Sequence, residues 1–292
     1  MEDIKPKTPP SVEAKSHKRV AICVYKDHIE PETEFLLDRL VQKKWTVLRR
    51  EGSANIDTSR SMFAGEALSL GAEWILWIDS DMVILPEQVE ELERIAYGSG
   101  GKVTVLSALA SRRGGDTPAN SIFDPSPRYV GDVVNVTTGC GAACLLTHRS
   151  VYDDLIAAFR MHEVLSMNHV FYPWFEKIKF WFHAGEYICL EEEIDGPERP
   201  PHAKLFWASE DQSFAIRAKL CGHPVWVHTG VQIGHKVKEV QWPDWRKADL
   251  KYNPRKGELL KIPYGPKPSP PKPPAEVVPP TRKQNHKKAK KK

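Results

Sequence analysis

Residues 73–86 read EWILWIDSDMVILP: a run of large apolar side chains ends on two carboxylates, Asp79 and Asp81, with Ser80 between them. The segment WILWID is apolar on both faces, as a strand in the middle of a helix-covered sheet must be. Such a strand delivers its last residues to the carboxyl edge of an open α/β sheet, where ligands bind. Strand alternation would set Asp79 and Asp81 on one side, within reach of a shared centre. Two carboxylates that close resist joint ionisation. A divalent cation removes the conflict. Hard oxygen ligands suit Mg²⁺ or Mn²⁺, which a carboxylate pair can share with a substrate's phosphates. The blander alternative is two solvated acids in the turn ahead of Pro86.

Other polar groups can be tied to the same edge. Arg60 lies in the first turn of the helix that precedes WILWID, and an arginine at a helix amino terminus attracts phosphate; on spacing alone it reads as a surface residue. Glu210 and Asp211 open a later helix, where acids favour the helix dipole; one of them could also act as a general base. His235, in GVQIGHK, acquires chemical meaning only if it faces Asp81. Cys140, Cys144 and His148 are spaced by four, but zinc-finger spacings are absent, and the small residues around both cysteines (TGCGAAC) predict tight packing instead.

The elements that must position these groups alternate. RVAICVY (19–25) reads as a strand and ETEFLLDRLVQK (32–43) as a helix with Phe35, Leu36, Leu40 and Val41 at helical spacing. WTVLRR is a short strand. DTSRSMFAGEALSLG (57–71) is a helix opened by Asp and Thr and closed by Gly71. PEQVEELERIAYG starts on proline and ends on glycine, as helices do, and KVTVLSALA is a strand. This β-α-β-α-β rhythm predicts an α/β fold with a mainly parallel, Rossmann-like sheet covered by helices on both faces. Beyond residue 120, VVNVTTGCGAACLLTH reads as strand, glycine turn, strand. SVYDDLIAAF is a helix capped by Ser150. SEDQSFAIRAKLCG (209–222) is a helix with a Ser209/Gln212 capping box, and HPVWVH is a late strand.

The 292 residues, 41% of them hydrophobic, are enough for one sizeable core. No stretch of 18 or more apolar residues suggests a membrane span, and the start lacks a signal-peptide core, so a cytoplasmic protein is expected. Five scattered cysteines do not make a disulfide framework. The net charge of +4 hides an asymmetry. Residues 262–292 hold nine Lys/Arg against one Glu, a net of +8, which leaves residues 1–261 at −4. The expected organisation is a disordered lead (1–18), one globular domain (19–261) and a disordered Pro/Lys-rich basic tail (262–292).

Taken together and in order, DTSRSMFAGEAL with GAEWILWIDSDMVI, TTGCGAACLLTHRSVYDDL, FYPWF (171–175) and SEDQSFAIRAKLCGHPVWVHTGVQIGHK resemble glycosyltransferases of the GT-A fold, family-2-like and of the phage- or virus-encoded type. The resemblance runs from about Arg19 to about Lys238. It implies a nucleotide-sugar-binding half (19–119) and an acceptor-binding half (120–261). It implies that Asp79, Ser80 and Asp81 bind the nucleotide-sugar and that Asp79, Asp81 and His235 hold Mn²⁺ or Mg²⁺. Arg60 would approach the phosphates and Tyr25 the nucleotide base. Asp211, with Glu210 beside it, matches the catalytic base of inverting members. The donor would be a nucleotide-diphosphate sugar, UDP-sugar by analogy, and the acceptor a hydroxyl. A hydroxymethylated base in DNA, held by the basic tail, is one such acceptor; protein and polysaccharide are others. Residues 177–208 depart from the family, and Trp174, Trp181 and Trp207 could stack on a sugar or a base or simply pack. Two other classes compete: a non-catalytic sugar- or nucleic-acid-binding module on the same fold, and a metal-dependent phosphohydrolase or nuclease.

Overall fold

The computed structural model describes residues 18–53, 55–111, 131–136, 139–166, 168–183, 186–190, 204–236 and 240–241. The expected lead, save Lys18, and the expected tail lie outside them. In chain order the elements are β1 (Arg19–Tyr25), α1 (Pro31–Gln42), β2 (Thr46–Glu51), α2 (Ile56–Ser69), β3 (Trp74–Asp79), β4 (Met82–Val83), α3 (Pro86–Gly98), β5 (Val105–Ala110) and β6 (Val133–Val136). There follow β7 (Cys144–His148), α4 (Arg149–Ala158), β8 (Val164–Ser166), β9 (His169–Phe171), β10 (Lys179–His183), β11 (Glu186–Leu190), β12 (Lys204–Trp207), α5 (Glu210–Leu220), β13 (Val225–Lys236) and β14 (Val240–Gln241).

Among the described residues the central sheet has nine strands, seven of them in the order β14-β13-β5-β7-β3-β1-β2, with β4 and β6 also paired to β13. The strands β1, β2, β3, β5 and β13 run parallel; β7 is inserted antiparallel between β3 and β5. Strand alternation sorts the core into two layers. Ile75 and Trp77 of β3 join Phe63 and Ala67 of α2, Tyr152 and Leu155 of α4, and Phe214 and Ala218 of α5. Leu76 and Ile78 join Leu36, Leu37 and Leu40 of α1 and Val89, Leu92 and Ile95 of α3. The α/β fold with a mainly parallel sheet between helices is therefore as the alternating pattern predicts. No described helix is long and apolar enough to cross a membrane.

Several local details differ from the sequence reading. The cap of α4 is His148, whose Nδ1 accepts the Ser150 N–H at 3.2 Å; Ser150 lies inside the helix. Ser209 occupies the N-cap position of α5 but forms no box with Gln212, because its hydroxyl donates to the Asp211 carboxylate. Asn55, ahead of Asp57, is the N-cap position of α2, and its side chain makes no capping bond. β13 runs on well past His228. A bulge between His228 and Gln232 lets it re-pair with β5. Gly230 makes that possible: a Cβ there would stand 2.8 Å from the Gly131 Cα.

Candidate functional site

The extension of β13 is what builds the site. Beyond the bulge its last residues pair antiparallel with β4, placing His235 opposite Met82. The Lys236 N–H donates to the Asp81 carbonyl at 2.7 Å. This sets His235 Nε2 at 3.4 Å from Asp81 Oδ2. On its other side, His235 Nδ1 lies 3.1 Å from the Ser111 carbonyl oxygen.

That arrangement constrains the protons. A carbonyl only accepts, so Nδ1 must carry the hydrogen that bonds to Ser111, which leaves Nε2 of the neutral ring a lone pair. Nε2 then faces a carboxylate, also an acceptor. Two acceptors at this separation are reconciled by a cation between them, either a second proton on the ring or a metal. A ring held by an Nδ1–H···O=C bond with Nε2 presented is also the usual posture of a metal-binding histidine. The spacing of Asp81 and His235 is therefore compatible with a cation between them, a ring proton or a divalent metal.

Asp79 does not turn to the same point. β3 ends at Asp79 and the chain passes through a turn at Ser80–Asp81 into β4, so strand alternation does not carry through to Asp81. Asp79 Oδ1 instead accepts from Arg60 at 2.8 Å. The Arg60 guanidinium donates through its other terminal nitrogen to Glu210 Oε1 at 3.0 Å, across 150 residues of sequence. Among the described residues no group of three His, Cys, Asp or Glu is arranged to hold a metal. Cys140 and Cys144 are buried in different layers of the core, as packing predicts.

Arg60 is only 5% exposed, so it is not the surface arginine that spacing alone suggests. Burial favours its neutral form, but the charges of Asp79, Glu210 and Asp211 outweigh burial and keep it firmly protonated. Burial pushes the Glu210 carboxyl up, and Asp211 adds to this, more than Arg60 pulls it down. Asp211 Oδ1 is occupied by the Ser209 hydroxyl and by the Gln212 N–H at 2.7 Å. Its Oδ2 lies beside Gly141, where an added Cβ would come within 3.5 Å. The glycine leaves that oxygen approachable.

Two further expected residues border the site. The Ser80 carbonyl accepts the Glu30 N–H at 2.9 Å, which ties the turn to the entrance of α1. Tyr25, half-buried, ends β1 one position beyond Val24, the register partner of Asp79, and its carbonyl accepts the Gly52 N–H at 2.7 Å. Of the three tryptophans named above, Trp174 is buried, Trp181 half-buried and Trp207 exposed. The sequence reading missed Ser111, which orients His235, and the Arg60–Glu210 pairing. Nothing local in the sequence announces either.

No protein-family model and no curated protein matches the chain. Among solved structures, A197 from STIV is similar at a TM-score of 0.45 and 12% identity, over 78% of this chain and 94% of that one. The S. aureus TarS 1–349 structure is similar at a TM-score of 0.34 and 15% identity, over 73% of this chain and 58% of that one. A second S. aureus TarS structure gives 0.33 and 15%, over 73% and 35%. Likenesses at TM-scores below 0.5 do not by themselves establish a shared activity.

Proposed function

We propose that the chain is a metal-dependent glycosyltransferase of the GT-A type, moving a sugar from a nucleotide-diphosphate donor, UDP-sugar favoured, to a hydroxyl acceptor. The observation that carries this reading is the convergence of Arg60, Asp79, Asp81, Glu210, Asp211 and His235 from four separate segments on the carboxyl edge of one sheet. Four carboxylates face a single arginine and a histidine there. A diphosphate would be repelled from such a cleft unless a divalent cation came with it.

In this reading Asp81 and His235 would hold Mn²⁺ or Mg²⁺. The metal, when bound, offsets the charge that develops on the departing diphosphate. Arg60 fixes Asp79 and Glu210, and so holds the nucleotide-binding strand and the acceptor-side helix in one arrangement. Asp211, through Oδ2, takes the proton of the acceptor hydroxyl. The acceptor oxygen forms its bond to the anomeric carbon as the bond from that carbon to the phosphate oxygen breaks, and the nucleoside diphosphate leaves. Tyr25 and Ser80 border the nucleotide.

Calorimetric titration with UDP-sugars in the presence of Mn²⁺, paired with a transfer assay, tests these assignments. Asp81→Asn should lose metal-dependent donor binding. Asp211→Asn should bind donor and fail to transfer it. Transfer at the wild-type rate by the Asp211 variant would remove Asp211 as the base.

A further inference from the structure

We propose that the outer face of the small sheet β11-β10-β12 is a glycan-binding platform, with Trp207 as its stacking surface, and that it receives a neutral carbohydrate acceptor. The inference extends the transferase reading by naming the acceptor class.

The face follows from the register. β10 and β12 pair antiparallel with Lys179 opposite Trp207, Phe180 opposite Phe206 and Trp181 opposite Leu205. Residues directly opposite each other share a face. Phe180 is buried, packed with Ala208 and Ile216 of the α5 region. The other face therefore points away from α5 and carries Lys179, Trp181, Leu205 and Trp207. On it Trp207 is 68% exposed and Leu205 42% exposed. An indole is a costly group to leave in water, because it is the largest apolar surface a side chain offers. The Lys179 ammonium lies 5.5 Å from the Trp207 ring centroid, which steadies the ring by a cation–π contact.

Two observations select the occupant. The first is continuity with the cleft. β12 ends at Trp207, and Ala208 and Ser209 lead directly to Glu210 and Asp211. Four residues span no more than roughly 14 Å of backbone, so the strand that carries the indole runs straight into the first turn of α5, where Asp211 lies. The second is charge. The chain as a whole is +4, but the cleft itself gathers Asp79, Asp81, Glu210 and Asp211 around Arg60 and His235. A polyanionic acceptor such as single-stranded nucleic acid would have to enter against that field. A pyranose carries no charge, and it presents a face of C–H groups whose positive edges complement the negative face of an indole. Lys179 can donate to its hydroxyls.

The test uses the full-length protein on immobilised neutral oligosaccharides ending in glucose, galactose, mannose or N-acetylhexosamine, with a single-stranded oligonucleotide at physiological salt as a separate arm. At least one neutral glycan should be retained. Trp207→Ala should weaken that retention roughly tenfold, and Trp207→Phe, which keeps an aromatic face, by no more than about threefold. Since the side chain is exposed, circular dichroism should show both variants folded. Retention of no neutral glycan, equal retention by Trp207→Ala, or Trp207-dependent binding of the oligonucleotide alone would overturn the platform. Mn²⁺-dependent binding of UDP-sugars to the wild-type protein is read in parallel and judges the transferase reading by itself. Trp207-dependent glycan retention without nucleotide binding would leave the platform standing on a non-catalytic glycan-binding module.

Discussion

Arg60 joins Asp79 to Glu210, donating to the first at 2.8 Å and to the second at 3.0 Å while almost wholly buried. One guanidinium thus connects the end of β3 to the first residue of α5. Removing it strands the largely buried Glu210 carboxylate and unpairs Asp79, whose side chain is 35% exposed. Arg60→Met should cost about 3–5 kcal/mol of stability, the usual consequence of breaking a buried ion pair from one side. Arg60→Lys, which keeps the charge but cannot fork to two acceptors, should recover part of it. Urea unfolding of the three proteins measures both steps.

Glu91 on α3 contributes to the acid limb of stability. Burial pushes its carboxyl up, but hydrogen bonds from His228 and Arg94, together with the Arg94 charge, outweigh burial and hold it at about 2. Arg94 Nε lies 2.7 Å from Glu91 Oε2. His228 Nδ1 accepts the Gly230 N–H, so Nε2 carries the proton donated to Glu91 at 3.2 Å. A carboxyl lowered in the fold contributes stability that is complete above its unfolded value of 4.5 and lost as pH falls toward about 2. That contribution is at most about 3 kcal/mol. Glu91→Gln should flatten this limb. Glu210 has the opposite sign. Its raised carboxyl contributes stability that is present below 4.5 and lost as pH rises through its folded value. Chemical denaturation from pH 2 to pH 7 distinguishes the two.

Gly139 holds the amino end of α5 in place from the opposite segment. Its φ is +95°, a conformation that L side chains rarely adopt, and a Cβ there would lie 3.2 Å from Ala215 Cβ and 3.3 Å from the Gln212 Cα. Gly139→Ala should destabilise the protein by about 1–3 kcal/mol and, by shifting α5, lower transfer more than donor binding. Equal stability by thermal melting would show that the segment relaxes without cost.

The architecture was legible wherever apolar periodicity was strong. WILWID is strand β3 over the expected residues, and the segments beginning at Pro31, Ile56 and Pro86 are helices within a residue or two of expectation. Pairing between distant segments was not legible. VVNV and CLLTH read as two strands around a glycine turn, but nothing local showed that the second would insert antiparallel between β3 and β5. Nothing local in TGVQIGHK showed that Gly230 would permit a bulge and a longer strand. Asp79 and Asp81 were found from their spacing, yet strand alternation assigned them one shared centre. The turn at Ser80 sends one to Arg60 and the other to His235. The acids of the site announce themselves by type; their partners are set by tertiary contacts that span up to 150 residues.

The most direct test of the central claim is nucleotide release from a panel of sugar nucleotides with Mn²⁺, comparing the wild-type protein with Asp81→Asn and supported by direct titration of nucleotide binding. The account predicts release from one donor that requires both the metal and Asp81. Absence of release together with absence of metal-dependent nucleotide binding would contradict it and leave the fold as a binding module.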